Sequence, residues 1–160
     1  MSALSWQAFA DALAEESRCL GELGAASLEM TSALVFGPAA KIDAADRAVE
    51  ARSALFLGAQ KRRVAMMKNG FGDKTLRQVC GFAPASLRRN VFGSLRELRT
   101  NGIALRITVA NNKALIVAGL ARIAKTIVVM QKAFTEQVGT YRRRGTVPLS
   151  SGSMIVSRKA

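Results

Sequence analysis

The sequence predicts an all-α protein: an elongated antiparallel helical bundle or coiled coil of three long helices plus one short helix, with a flexible C-terminal tail. Three observations carry that reading. Most apolar residues are Ala, Leu, Val, Ile and Met, and only three prolines occur among 160 residues, a composition that suits helices better than strands. Apolar positions recur at three-four spacing over long windows, the period of one helix face. Helix breakers are confined to a few places, so the chain divides into long uninterrupted segments.

The first helix is expected over about 4–36. Trp6, Phe9, Leu13, Leu20, Leu23, Met30 and Leu34 share one face, interrupted only by Glu16 and Ser27, and roughly 34 residues make a rod of about 50 Å. Gly37 followed by Pro38 ends it, because glycine accepts the left-handed backbone of a helix terminus and proline cannot continue a helix. A second helix is expected over 39–68, with Ile42, Ala45, Val49, Phe56, Leu57, Val64 and Met67 on a drifting face until Asn69, Gly70 and Gly72 stop it. The short connection makes the two an antiparallel hairpin. A short helix over 73–80 follows, with Asp73 as its expected N-cap.

From 85 to about 138 no proline appears, and Val91, Leu95, Leu98, Leu105, Val109, Ile116, Ile123, Met130 and Gln137 continue the three-four pattern with Gly102, Asn112 and Gly119 in the stripe. At roughly 1.5 Å per residue this third long helix measures about 80 Å, longer than either partner. Part of it must therefore project or be covered by another molecule, unless the glycines mark a bend. The pattern fails after Gly139. Residues 1–139 are thus expected to form the bundle and 140–160 a flexible partner-binding tail, rich in Arg, Gly and Ser.

Composition excludes several function classes. The chain has no His and two separated cysteines, Cys19 and Cys80, which removes the usual general base, the Ser-His and Cys-His nucleophile pairs, imidazole-bound metals and any disulfide framework. The sequence reading is therefore a non-enzyme with no cofactor and no metal. Glu15, Glu16 and Glu22 read as surface charges rather than an acid-base pair, and Gly70-Phe71-Gly72 lacks the strand and the Gly-Lys-Ser or Gly-Lys-Thr ending of a phosphate loop. The first ten residues carry no Lys or Arg and lead into Asp11, Glu15 and Glu16, so no secretory signal is expected and the protein is placed in the cytoplasm. Residues 103–130 are interrupted by Arg106, Asn111, Asn112, Lys113, Arg122 and Lys125, and no integral membrane segment is expected.

Charge is distributed unevenly. Residues 1–50 hold three basic and eight acidic residues, whereas 51–160 hold twenty-one basic and three acidic ones, giving a net +13. An acidic first segment compensates part of the basic remainder, and what is left attracts an acidic partner. Lys61, Arg62 and Arg63, like Arg88 and Arg89, read as helix-end charges that keep a long rod soluble. Arg142, Arg143 and Arg144 are candidates for electrostatic steering, with a solvated charge run at a helix end as the alternative. Asn111 and Asn112 lie beside the apolar stripe, where a buried amide fixes register between packed helices or binds a partner directly. In the tail, Val147, Leu149, Met154, Ile155 and Val156 suffice for one sticky face once a partner orders it.

Asn112-Lys-Ala-Leu-Ile, then a long amphipathic run, then Thr140-Tyr141-Arg-Arg-Arg-Gly145 resembles the FlgN family of flagellar type III export chaperones. That family shares an Asn followed by a Leu-Ile step and a Tyr-x-x-x-Gly element at the end of its third helix, although Val109 stands where it often has a second Asn. The likeness in element order covers nearly the whole chain. It implies a cytoplasmic chaperone that binds hook-associated flagellar proteins, keeps them unassembled and delivers them to the flagellar export gate. On that basis Val138, Tyr141, Val147, Leu149, Met154, Ile155 and Val156 make client contacts, and Tyr141 also docks on the gate, against a plain role as a locally packed helix-end ring. The resemblance is compatible with a monomer or a weak homodimer. The alternatives from other classes are a basic helical nucleic-acid-binding protein, supported by the charge of residues 51–160, and a structural coiled-coil oligomer, supported by the over-long third helix.

Overall fold

The computed structural model describes residues 3–142, with side chains described for 5–135. Among these the protein is an all-α helical bundle: α1 spans Ala3–Phe36, α2 Ala39–Phe71, α3 Leu76–Gly81 and α4 Ala85–Arg142. The chain divides into two compact units, Met1–Val117 and Ala118–Ala160. This boundary falls inside α4, whereas the sequence suggested a single bundle running to residue 139.

The α1–α2 corner is made by Gly37. Its N–H donates to Ala33 O at 2.8 Å, and a Cβ there would stand 2.6 Å from that same oxygen, so only glycine allows the turn to close so tightly. Pro38 then sits at the N-cap of α2 with extended backbone. The helices run antiparallel, since Glu22 meets Arg52 at 2.5 Å and Glu16 meets Arg63. Small residues line their approach: Ala26 and Ala33 on α1, and Ala45 and Ala59 on α2, are buried.

Two local expectations are corrected. Helix α2 does not stop at residue 68; it passes through Gly70 to Phe71 and ends at Gly72, whose φ is 63°. A glycine inside a helix costs about 1 kcal/mol relative to Ala, and here Phe71 offsets that cost by packing edge-on against Trp6 and Phe9, with ring centroids 5.0 and 5.9 Å away. Helix α3 begins at Leu76, capped by Thr75 and not by Asp73. Thr75 Oγ1 accepts from the Gln78 N–H while Gln78 Oε1 accepts from the Thr75 N–H at 2.9 Å. This reciprocal capping box satisfies two otherwise open donors, an arrangement Asp73 lacks.

The main core sits where α3 closes one end of the first unit. Trp6, Phe9, Ala10 and Leu13 of α1, Met67 of α2, Val79 and Cys80 of α3, Ala83, and Val91 of α4 form one buried cluster. Toward α4, Leu87, Leu95 and Leu98 pack against it. Helix α4 runs in the same direction as α1: Ser17 meets Glu97, Leu20 lies beside Gly102, Gly21 beside Asn101, and Thr31 meets Asn112. The sequence separation between partners holds near 80 along this contact.

Candidate partner-binding surface

The polar residues inside the first unit are occupied in holding it together. Asn112 is buried; its Nδ2 donates to Ser27 O at 2.9 Å and its Oδ1 accepts from Thr31 Oγ1 at 2.7 Å. A buried amide with both ends satisfied across a helix pair fixes register, because sliding α4 against α1 by one turn would strand it. Asn111, the neighbouring candidate, is exposed. Only one of the two therefore belongs to the α1–α4 contact.

Glu16 corrects its surface reading. It is 1 % exposed and receives both Nε and Nη2 of Arg63, the latter at 3.1 Å. Arg63 is itself buried, with Nη1 3.0 Å from Met67 Sδ, so it is no solubilising helix-end charge, whereas Lys61 and Arg62 are exposed. The pattern held a signal: Glu16 occupies the step between Leu13 and Leu20 where an apolar residue belongs, and a carboxylate there needs a buried cation opposite. Glu15 and Glu22 do lie at the surface, in a network with Arg18 and Arg52. Hydrogen bonding from Arg18 holds the Glu15 carboxyl below its ordinary range. Cys19 and Cys80 are buried free thiols, both pushed above their ordinary pKa chiefly by burial. Among the described residues no group of three or more Cys, Asp or Glu is placed to hold a metal ion.

The described part of the second unit is built differently. Every residue over 118–135 is exposed, although this stretch of α4 contains Leu120, Ile123, Ile127, Val128, Val129, Met130 and Phe134. Five of them, Leu120, Ile123, Ile127, Met130 and Phe134, follow one another at steps of three and four, which puts them on a single face. Phe134 is 71 % and Met130 67 % exposed. Arg122, Lys125 and Lys132 are the charged residues of the stretch, and all are basic. The result is an apolar helical face whose opposite side carries Arg122, Lys125 and Lys132 together with Val128 and Val129. A contiguous apolar surface of this kind marks a contact with protein or lipid.

Among the described residues two helices are, by length and composition alone, apolar enough to cross a membrane, over Ser5–Phe36 and Ala85–Thr135. The first has a third of its apolar window buried in the bundle, as expected of a core helix, while the second has none of its window buried. The face just described lies within the second of these helices.

The remaining sequence candidates fall at or beyond the edge of the described region. Val138, Tyr141 and Arg142 lie within α4, but their side chains are outside the described residues. Arg143, Arg144, Val147, Leu149, Met154, Ile155 and Val156 lie wholly outside them. The seam from Leu120 to Phe134 precedes all of these and was only partly singled out, through Ile123 and Met130. No protein family, curated protein or solved structure matches the chain.

Proposed function

We propose that the chain is a binding protein and not an enzyme: a cytoplasmic export chaperone that captures an amphipathic segment of a client, as the likeness to the FlgN family implies. The clients on this reading are hook-associated flagellar proteins, kept unassembled and passed to the flagellar export gate. The observation that carries the binding role is the wholly exposed apolar seam of Leu120, Ile123, Ile127, Met130 and Phe134. Such a seam accepts a second helix by burying its apolar face, a standard mode of peptide recognition that needs no nucleotide. Val138, Tyr141 and the tail residues Val147, Leu149, Met154, Ile155 and Val156 extend the client contact, Tyr141 also docks on the gate, and Arg142, Arg143 and Arg144 steer association.

The test is co-purification from cells expressing flagellar proteins, with nuclease and moderate salt, comparing the full chain, a version ending at Gly139 and a Leu120→Glu, Met130→Glu variant. The expected result is that a hook-associated protein follows only the full chain. Retention of nothing but nucleic acid before nuclease treatment would instead support the second reading. One observation favours that alternative: no acidic residue interrupts Arg99, Arg106, Lys113, Arg122, Lys125 and Lys132 between Glu97 and Glu136. A backbone contact through these cations weakens steeply with added salt.

A further inference from the structure

We infer that the seam of the second unit pairs with the same seam of a second copy of this chain, forming a homodimer that shields it until a client takes its place. The spacing comes first. Leu120, Ile123, Ile127, Met130 and Phe134 follow steps of three, four, three and four, a mean of 3.5 residues, which is the repeat that keeps two supercoiled helices in contact along one line.

The distribution of charge chooses the occupant. With the seam centre as origin and about 100° per residue, Arg122, Lys125 and Lys132 fall roughly 120°, 180° and 160° away. The positions that flank the seam are Gly119, Ala124, Thr126, Gln131 and Ala133, none of them charged. A chain of net +13 repels its own copies, and like charges beside a helix interface act directly against self-pairing. Here every cation of the stretch is turned away, so two copies meet without a like-charge contact. An acidic partner helix would find no cations along the flanks to pair with. An anionic bilayer is equally poorly matched, because a helix lying on lipid carries its cations at the borders of the apolar face, where their stems reach the headgroups.

The area is that of a weak, exchangeable interface. If the five seam side chains expose roughly 100 Å² apiece, joining two copies removes at most on the order of 1,000 Å², the lower limit for a biological contact. The small flanks Gly119, Ala124 and Ala133 also let the helices approach closely.

Sedimentation equilibrium on the pure, nuclease-treated full chain tests this, with no client present, so that its failure leaves client capture to its own experiment. The expected mass is twice 17.1 kDa. Ile127→Glu, at an exposed position, is expected to keep the helical circular dichroism and weaken the dimer at least about thirtyfold, as loss of a central interface anchor does. Lys125→Glu, on the back of the helix, is expected to leave the dimer intact. A wild-type chain that stays at 17.1 kDa, or an Ile127→Glu chain that dimerises equally well, overturns the inference. So does a monomeric wild-type chain that binds phosphatidylglycerol vesicles through Ile127, which would assign the seam to lipid.

Discussion

Replacing Arg63 with Met isolates the strongest polar interaction in the bundle. The Arg63 guanidinium makes two charge-assisted hydrogen bonds to Glu16, one of them 3.1 Å long, and Glu16 is 1 % exposed. Methionine keeps the length and apolar contacts of the stem but leaves the carboxylate with no counter-charge away from water. Breaking one partner of a buried pair typically costs about 3–5 kcal/mol, and the near-complete burial of Glu16 puts this case in that range. A unit of this size has a total stability of roughly 6–17 kcal/mol. The loss is therefore a large fraction of the whole, equivalent to a fall in melting temperature of about 10–20 °C.

Arg63→Met with Glu16→Leu removes both charges together and should recover most of that loss, since an apolar pair of similar volume is often as stable as the ion pair it replaces. The assay is urea unfolding followed by circular dichroism on wild type, both single variants and the double, closed as a thermodynamic cycle. A coupling free energy below about 1 kcal/mol, or a double variant as unstable as the sum of the singles, would refute the argument. Either result would mean that water reaches Glu16 and that the pair behaves like the exposed Arg18–Glu15 contact.

Asn112→Ala removes both hydrogen bonds across the α1–α4 contact and should cost about 1–3 kcal/mol in urea unfolding, whereas Asn111→Ala at the exposed neighbour should stay within ~0.5 kcal/mol. Equal effects would remove the distinction between them. The raised pKa of Cys80 and Cys19 means that the folded protein keeps these thiols protonated where the unfolded chain ionises. The stability they contribute is full below the ordinary thiol pKa and is lost as pH rises through the higher folded-state values. The melting temperature should therefore fall on the alkaline side of about pH 8.5, and alkylation of both thiols should be slow until the chain unfolds; rapid alkylation of the native protein would contradict their burial.

How far the fold could be read in advance depended on whether its cause was local. The Gly37-Pro38 break, the three-four stripes and the proline-free stretch after residue 85 act over a few neighbouring residues, and they located the three long helices. The cap of α3 was equally local and was missed: Thr75 followed three residues on by Gln78 is the sequence signature of a capping box, which Asp73 lacks. Gly70 looked like a stop because the aromatic cluster that retains Phe71 in the helix draws on α1, far away in sequence. Arg63 is written like its exposed neighbours Lys61 and Arg62, although its place seven residues after Phe56 and four before Met67 puts it on the packed face of α2. Its partner Glu16 did carry a mark, as a carboxylate in an apolar stripe. The excess length of the third long helix announced that part of it must project, but not which part, because the stripe that packs in the first unit and the stripe left open in the second obey the same spacing.

Why the stripe goes uncovered follows from the helix lengths and one register. Thr31 meets Asn112 across a separation of 81 residues, and α1 and α4 run in the same direction. Carrying that offset forward brings Phe36, the last residue of α1, level with Val117, where the first compact unit also ends. Beyond this point α1 has no residue left to offer α4. The helix still continues to Arg142, since its first half is already held in place and the unfavourable nucleation step does not have to be repeated for the rest. What does not come free is the solvent exposure of Leu120, Ile123, Ile127, Met130 and Phe134. Polar residues at those five positions would have continued the helix equally well, as Lys125 and Lys132 do on its other side. An apolar seam that runs on after α1 has ended is left unpaired among the described residues, and its uncharged flanks suit the pairing with another copy of the same helix proposed above.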